Sequence, residues 1–187
     1  MFAHAVERNA LKAAKSLVVV SPAMRDVIIG LGVKESRISQ ILNYSAHKID
    51  SVNREKARNR FGWATNDFIV VHTGNMGAKQ ALENVVAAAV ELNGNSQIKI
   101  LLVGHGNQES NLKALCHGKK NISVMAAVSD EDYSALLSAA DLLIVNERTT
   151  QMEMSLPSKL TSYLYSERPV LAAVPRGGAT WKFLDGV

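Results

Sequence analysis

A hydroxyl and an ammonium stand side by side at Ser158 and Lys159, within the run Glu153-Met154-Ser155-Leu156-Pro157-Ser158-Lys159-Leu160. Ser155 is a good helix N-cap and Pro157 suits a first helical turn. Ser158 and Lys159 then fall where backbone N–H groups lack intrahelical partners and the helix dipole is positive. Such a place can cradle a diphosphate. The plain alternative is a capped helix with an incidental lysine. A lysine there opposes the dipole unless an anion offsets it, which tilts the reading toward a ligand.

Two glycine-bearing stretches offer the same kind of contact. Gly74-Asn75-Met76-Gly77-Ala78-Lys79-Gln80 follows an apolar run and leads toward a helix pattern. Glycine lets backbone approach a ligand, the helix N-terminus favours an anion and Lys79 adds a point charge, although a tight turn would use the same residues. Gly104-His105-Gly106-Asn107 resembles the start of a dinucleotide fingerprint. It lacks the third glycine and the later acidic residue, which disfavours a nicotinamide cofactor. His105 is placed to touch a ligand or simply to face water.

Other chemistry finds little support. His4, His47, His72, His105 and His117 show no metal-ligand spacing with one another or with Cys116, so no metal and no cofactor are expected. There is no nucleophile elbow and no P-loop. Cys116 sits on an apolar helix stripe and reads as packing. Met76, Met125, Met152 and Met154 lie near the glycine and lysine loops, either lining an apolar base pocket or filling core. The basic residues Lys48, Arg54, Lys56, Arg58 and Arg60 are broken by Asp50 and Glu55 and carry no interleaved aromatics. They read as a solvated helix face, and nucleic acid is not an expected partner.

The elements that must hold these residues alternate regularly. Apolar, β-branched runs predict strands at 17–20, 38–42, 68–73, 98–103, 122–125, 142–145 and 170–174. Successive apolar positions, as in Asp141-Leu-Leu-Ile-Val145, suit parallel strands covered on both faces. Helical periodicity predicts helices at 3–14, 22–31, 80–92, 111–116, 130–139 and 159–165. The fold class that follows is α/β, a doubly wound parallel sheet. Its ligands would lie beyond the carboxyl ends of the strands, where the glycine loops fall.

The chain has 187 residues, 47% apolar and 20% charged, with formal net charge +4, which suits an anionic ligand or surface without requiring one. No apolar run approaches the ~20 residues of a membrane-spanning helix, and the single cysteine fits a reducing compartment. A boundary is expected near Asn43–Asn53. Residues 1–43 read as the tail of a preceding domain, 44–66 as linker and connecting helix, and 67–187 as the main domain. Because 1–43 is short for an independent core and 181–187 leads toward a strand that does not follow, the expectation is a piece of a larger protein, truncated at both ends.

Taken in order, these loops resemble family 4 of the retaining glycosyltransferases, in particular enzymes of the colanic-acid and capsular-polysaccharide type. The stretches that carry the likeness are Ser21–Met24, Ile41–Asn43, Thr73–Gln80, Leu102–Gly106, Ala140–Val145 and Leu156–Ala172. The resemblance implies the Rossmann-like, nucleotide-sugar-binding half of a two-domain GT-B enzyme. Gly74, Asn75, Gly77 and Lys79 would then face the donor phosphates. Gly104, His105, Ala126, Ala127 and Val128 would border the nucleoside. Pro157, Ser158 and Lys159 would hold the diphosphate leaving group. Many family members carry two glutamates eight positions apart, for the transferred sugar and for the ribose. Here those places hold Met154 and Ser162, with Glu153 one residue out of register and Glu167 where the family usually has glycine.

The implied reaction is transfer of a hexose from a nucleoside-diphosphate sugar to a growing surface polysaccharide or lipid-linked glycan. Lys79 and Lys159 would act as the catalytic cations on the departing diphosphate, without a required metal. The acceptor would be held by the other domain, so this chain would bind donor and not turn it over alone. The implied location is cytoplasmic, with the full-length enzyme peripheral at the inner membrane. Two other readings stay open. A GT-B-type nucleotide-sugar epimerase would need paired carboxylates in these loops, which are absent. A non-catalytic Rossmann-like module of the receiver or flavodoxin kind is the second. A receiver would need clustered acids after its first strand, and Thr73-Gly74-Asn75 offers none.

Overall fold

Apolar runs that are continuous rather than alternating become strands buried on both faces. The computed structural model of the protein describes residues 2–42, 52–149 and 156–186. Contacts divide the chain into two units: a smaller one formed within 1–44, 152–158 and 176–187, and a larger one within 45–151 and 159–175.

Among its described residues the larger unit holds five parallel strands: β3 (Phe68–Asn75), β4 (Ile98–His105), β5 (Ile122–Met125), β6 (Leu142–Asn146) and β7 (Val170–Ala173). Their order is β5-β4-β3-β6-β7. The chain steps outward from β3 to β5, then crosses to β6 on the other side of β3. At that reversal, open α/β sheets bind ligands. Its helices are α3 (Arg54–Arg60), α4 (Glu83–Glu91), α5 (Glu109–Cys116), α6 (Asp130–Ala139) and α7 (Ser158–Tyr165). Met76, Leu82, Val85, Val86, Ala89, Leu102, Leu112 and Cys116 share one buried cluster. Met76 and Cys116 are therefore packing residues; burial also raises the Cys116 thiol pKa. Ser129 caps α6 by accepting from the Asp132 N–H at 3.2 Å, and three acidic residues fill that helix's first turn.

Of the stretch 44–66, read as linker and connecting helix, the described part packs into this unit and carries α3. Ala57 on α3 packs with Ala135 and Ala139 of α6, flanked by Val52, Phe61 and Trp63. The expected solvated basic face is corrected at Arg58, which is 5% exposed. Its guanidinium donates to the carbonyls of Ala64, Thr65, Asp67 and Ala139 at 2.8–3.3 Å and pairs with Asp141. Asp141 in turn accepts from the Ile69 N–H at 2.7 Å and pairs with Arg54. Arg60 pairs with Glu131 and Asp132. The basic stretch is thus answered by acids from α6 and the start of β6, a network that joins α3 to the sheet.

The smaller unit contains α1 (Phe2–Ala13), β1 (Leu17–Val19), α2 (Pro22–Gly30), β2 (Ile38–Gln40) and α8 (Ala179–Asp185). β1 and β2 pair in parallel over three residues each. Ser21 caps α2 through the Met24 N–H at 3.0 Å, and Pro22 takes the first helical position. Val19, Val33 and Ile38 form a small core with Leu11, Leu17, Met24 and Ile28. By contacts α8 groups with the smaller unit rather than with the other elements from 67 onward. No helix among the described residues is long and apolar enough to cross a membrane.

Candidate functional site

β3 and β4 pair to their last residues, so Gly74 lies opposite Gly104 and Asn75 opposite His105. Glycine is required where they meet. A Cβ on Gly104 would sit 1.9 Å from the Gly74 carbonyl oxygen, with φ at +147°. A hollow of about 330 Å³ opens beyond these ends, lined by Thr73, Gly74, Asn75, Val103, Gly104, His105, Ala127, Val128, Asp130 and Tyr133. The structure therefore brings together Gly74, Gly104, His105 and the 127–128 loop singled out in the sequence, while Gly77 does not line the hollow. Exposed Ala126 precedes them in that loop. Asp130 and Tyr133 were not anticipated, although their place in the first turn of α6, just after the loop, is a signal the sequence carries. Tyr133 Oη lies 3.3 Å from Thr73 Oγ1, and the buried Tyr163 Oη accepts from the Thr73 N–H at 2.8 Å. Burial pushes the Tyr163 hydroxyl pKa well up, so it stays protonated.

Lys159 reaches the same edge of the sheet from α7. A Cβ on Gly74 would lie 3.5 Å from Lys159 Cε and 3.7 Å from Nζ. The lysine stem and ammonium thus lie beside Gly74, the residue before the last of β3. Nζ is also 3.0 Å from Nε2 of His72, whose Nδ1 lies 3.2 Å from the Ile144 carbonyl oxygen. That carbonyl can only accept, so Nδ1 carries the proton and Nε2 accepts from the lysine. His72 is fully buried. Its burial, then the Lys159 charge, lower its pKa to about 3 against the pull of the Ile144 and Asn75 backbone. Burial brings Lys159 down to about 7, partly offset by the negative charge of Glu147. His72 and Glu147 were missed as site residues. A titratable residue directly after the apolar run Phe68–Val71, two positions before Gly74, was the available sign.

The Gly74–Gln80 bend differs from expectation. In place of a helix opening directly after β3 there is a 3-10 turn at Ala78–Gln80, then Ala81 in left-handed conformation at φ 45°. α4 begins only at Glu83. Three of the bend's amides are turned inward: Met76 N–H donates to the His105 carbonyl, Gly77 N–H to Gln80 Oε1 and Gln80 N–H to the Gly77 carbonyl. The bend is a braced loop rather than a row of outward N–H groups, and what it can offer an anion is the exposed Lys79 and close backbone approach. Three consecutive residues, the last of β6 and the two after it, hold this neighbourhood. Asn146 Nδ2 donates to the Gln80 and Ala81 carbonyls at 2.7 and 3.0 Å. Glu147, 7% exposed, supplies charge to Lys159. Arg148 donates from its backbone to the Lys79 carbonyl, from Nε to the Ala78 carbonyl, and pairs with Glu83 at 2.6 Å.

The remaining sequence-predicted residues fare unevenly. α7 begins at Ser158 with Pro157 just before it, one residue later than the reading that put Pro157 in the first turn. Ser155, Glu153, Met154 and Met152 lie outside the described residues. Ser162 is 3% exposed within α7 and does not line the hollow.

A family model described as glycosyl transferases group 1 matches residues 53–184, well over half the chain. The chain belongs to the glycosyl transferases group 1. Among curated relatives of this family, the Escherichia coli (strain K12) protein WcaI, named as a colanic acid biosynthesis glycosyl transferase, is 29% identical over 168 residues. That match covers 87% of this chain and 41% of WcaI, so the chain spans about two fifths of the relative's length. Anabaena Alr3699/HepE, solved in complex with UDP and glucose, superposes with a TM-score of 0.75 at 18% identity, covering 95% of this chain and 49% of that one. WaaG, a glycosyltransferase involved in lipopolysaccharide biosynthesis, does so with 0.80 at 16% identity, covering 98% and 50%. The larger unit of this group 1 chain therefore has the Rossmann-like fold of GT-B enzymes.

Proposed function

We propose that the larger unit holds a nucleoside-diphosphate sugar, the donor of a retaining hexosyl transfer in the synthesis of a surface polysaccharide or lipid-linked glycan. One observation carries this reading: the hollow at the carboxyl ends of β3, β4 and β5 is lined by Gly74, beside which the Lys159 side chain packs, where the reversal of strand order makes a ligand crevice. The family match supports the reaction class. The HepE structures with UDP and with UDP-glucose support the ligand class.

In this reading His105 and Ala126–Val128 border the nucleoside, while Gly74, Asn75 and Lys79 approach the diphosphate with Lys159. Negative charge grows on the leaving diphosphate in the transition state, and the two lysines stabilise it electrostatically in a partly desolvated place. No step in this reading calls for a metal. The ribose contact assigned to Ser162 is dropped, since that side chain is buried. Acceptor choice lies with residues outside this site.

Titration calorimetry of the chain with UDP, GDP and UMP, with and without EDTA, tests this. We expect a nucleoside diphosphate to bind at least about tenfold more tightly than UMP, because the second phosphate adds charge-assisted hydrogen bonds of ~1.5–3 kcal/mol. EDTA should leave that preference unchanged. Equal affinity for UDP and UMP would remove the diphosphate site.

A further inference from the structure

The ammonium of Lys159 is held by a group that the transfer reaction does not itself consume. On the sheet side, His72 of β3 is 0% exposed, its Nδ1 proton is directed at the Ile144 carbonyl of the neighbouring strand, and its Nε2 lone pair meets Nζ at 3.0 Å. A ring fixed at one nitrogen presents the other in a single direction. A lysine stem has four rotatable carbons and needs such a partner to keep one geometry.

We propose that His72 is a positioning residue of the donor site, a neutral ring locked by Ile144 that holds the Lys159 ammonium beside Gly74 for the donor diphosphate. This rests on the donor-site reading above and adds to it a buried residue that does not itself line the hollow. A histidine suits the task because it accepts a hydrogen bond while uncharged. A carboxylate at the same place would neutralise the lysine, and an aliphatic residue would leave a buried ammonium without its acceptor. Among the described residues, the ionisable groups around Lys159 are His72 from β3, Glu147 just after β6, and the tyrosines Tyr133 of α6 and Tyr163 of α7 grouped at neighbouring Thr73. Of these, only Glu147 favours the charged lysine by its own charge, so losing the His72 acceptor makes the charged form harder to keep.

The test is UDP titration calorimetry from about pH 6 to 9 on the chain and on Lys159→Ala, His72→Leu and His72→Gln, with thermal melts to establish that each is folded. Lys159→Ala should weaken UDP at least about tenfold. His72→Leu should weaken it by about tenfold, and its loss of affinity on the alkaline side should move to lower pH. His72→Gln, which can accept from Nζ and donate to Ile144, should stay within about threefold of the parent. If Lys159→Ala is weakened while His72→Leu binds UDP like the parent with an unchanged pH profile, His72 positions nothing and the donor site stands. If Lys159→Ala binds UDP like the parent, the donor-site reading fails and takes this one with it. Should His72→Leu not fold, His72→Gln decides: near-parental binding and pH profile support the role, and a loss of tenfold or more overturns it.

Discussion

At the scale of single residues, the site is built on groups pushed away from their usual proton affinity. His72 titrates near 3 in the folded chain against 6.5 for a free histidine, because burial disfavours the imidazolium. Between those values the unfolded chain takes up a proton that the folded chain refuses. Folding stability is therefore lost as pH falls from about 6.5 toward 3. Lys159, near 7 against 10.5, acts in the same direction at higher pH, so its contribution rises with pH between those values. Denaturant midpoints should accordingly climb from about pH 4 to 6.5, and His72→Gln, which cannot titrate there, should flatten this acid limb. An acid slope unchanged in that variant would remove His72 from the account. Lys159 itself was visible in the sequence as a lysine at a helix start. Its partner was not, because nothing local distinguishes a histidine inside a strand that packs against carbonyls from one that meets a lysine.

At the scale of elements, the decisive feature is the close approach of the ends of β3 and β4. The glycines of Gly74–Gly77 and Gly104–Gly106 were legible in the sequence as places for backbone to come near something. At Gly104 that something is the neighbouring strand: a Cβ would press 1.9 Å against the Gly74 carbonyl oxygen. Gly104→Ala should destabilise the chain by about 2–4 kcal/mol in urea unfolding, from the forced shift and the strained backbone together. Gly94 is a fair control. It lies in an exposed turn, its φ is not positive, and a Cβ placed there would meet no atom within 4 Å. Gly94→Ala should therefore be neutral or stabilising by up to about 1 kcal/mol. Similar midpoints for the two variants would contradict the clash. The glycine bend also shows where the sequence reading stopped short. Its residues suggested a helix start, but the inward turn of its amides depends on Gln80, Asn146, Arg148 and His105. Asn146 ends β6 and Arg148 follows it, 65 to 70 positions along the chain from the atoms they brace.

At the scale of the whole molecule, the two units differ in how much apolar surface they enclose. In the larger one Ile69, Val70, Val71, His72 and Thr73 are all buried, with β4 and β6 on either side of β3. In the smaller one the sheet is two strands of three residues, and Val18 on it is 60% exposed. Local opening follows contact and burial, so the units should differ in hydrogen exchange. Mass-spectrometric exchange should find the slowest amides in β3 and β4, and those of β1 and β2 should exchange first. The reverse order would show that the smaller core is the more stable. The division itself was only partly foreseeable. A break near 43–53 could be read from polar composition, whereas the grouping of α8 with the first forty residues could not, since α8 has no local mark of which core it serves.

What the sequence determined by itself is what local physics controls: seven apolar runs long enough for strands, amphipathic stretches between them, capping at Ser21 and Ser129, glycine where strands end. Those are choices of backbone shape and burial that each segment makes with its own few residues. Which polar side chains meet was decided only by the tertiary structure. Strand order puts β6 beside β3, and this alone brings Lys159 to His72 across 87 positions and Arg58 to Asp141 across 83. Such pairings depend on distances set by the whole sheet, and no periodicity within a segment encodes them.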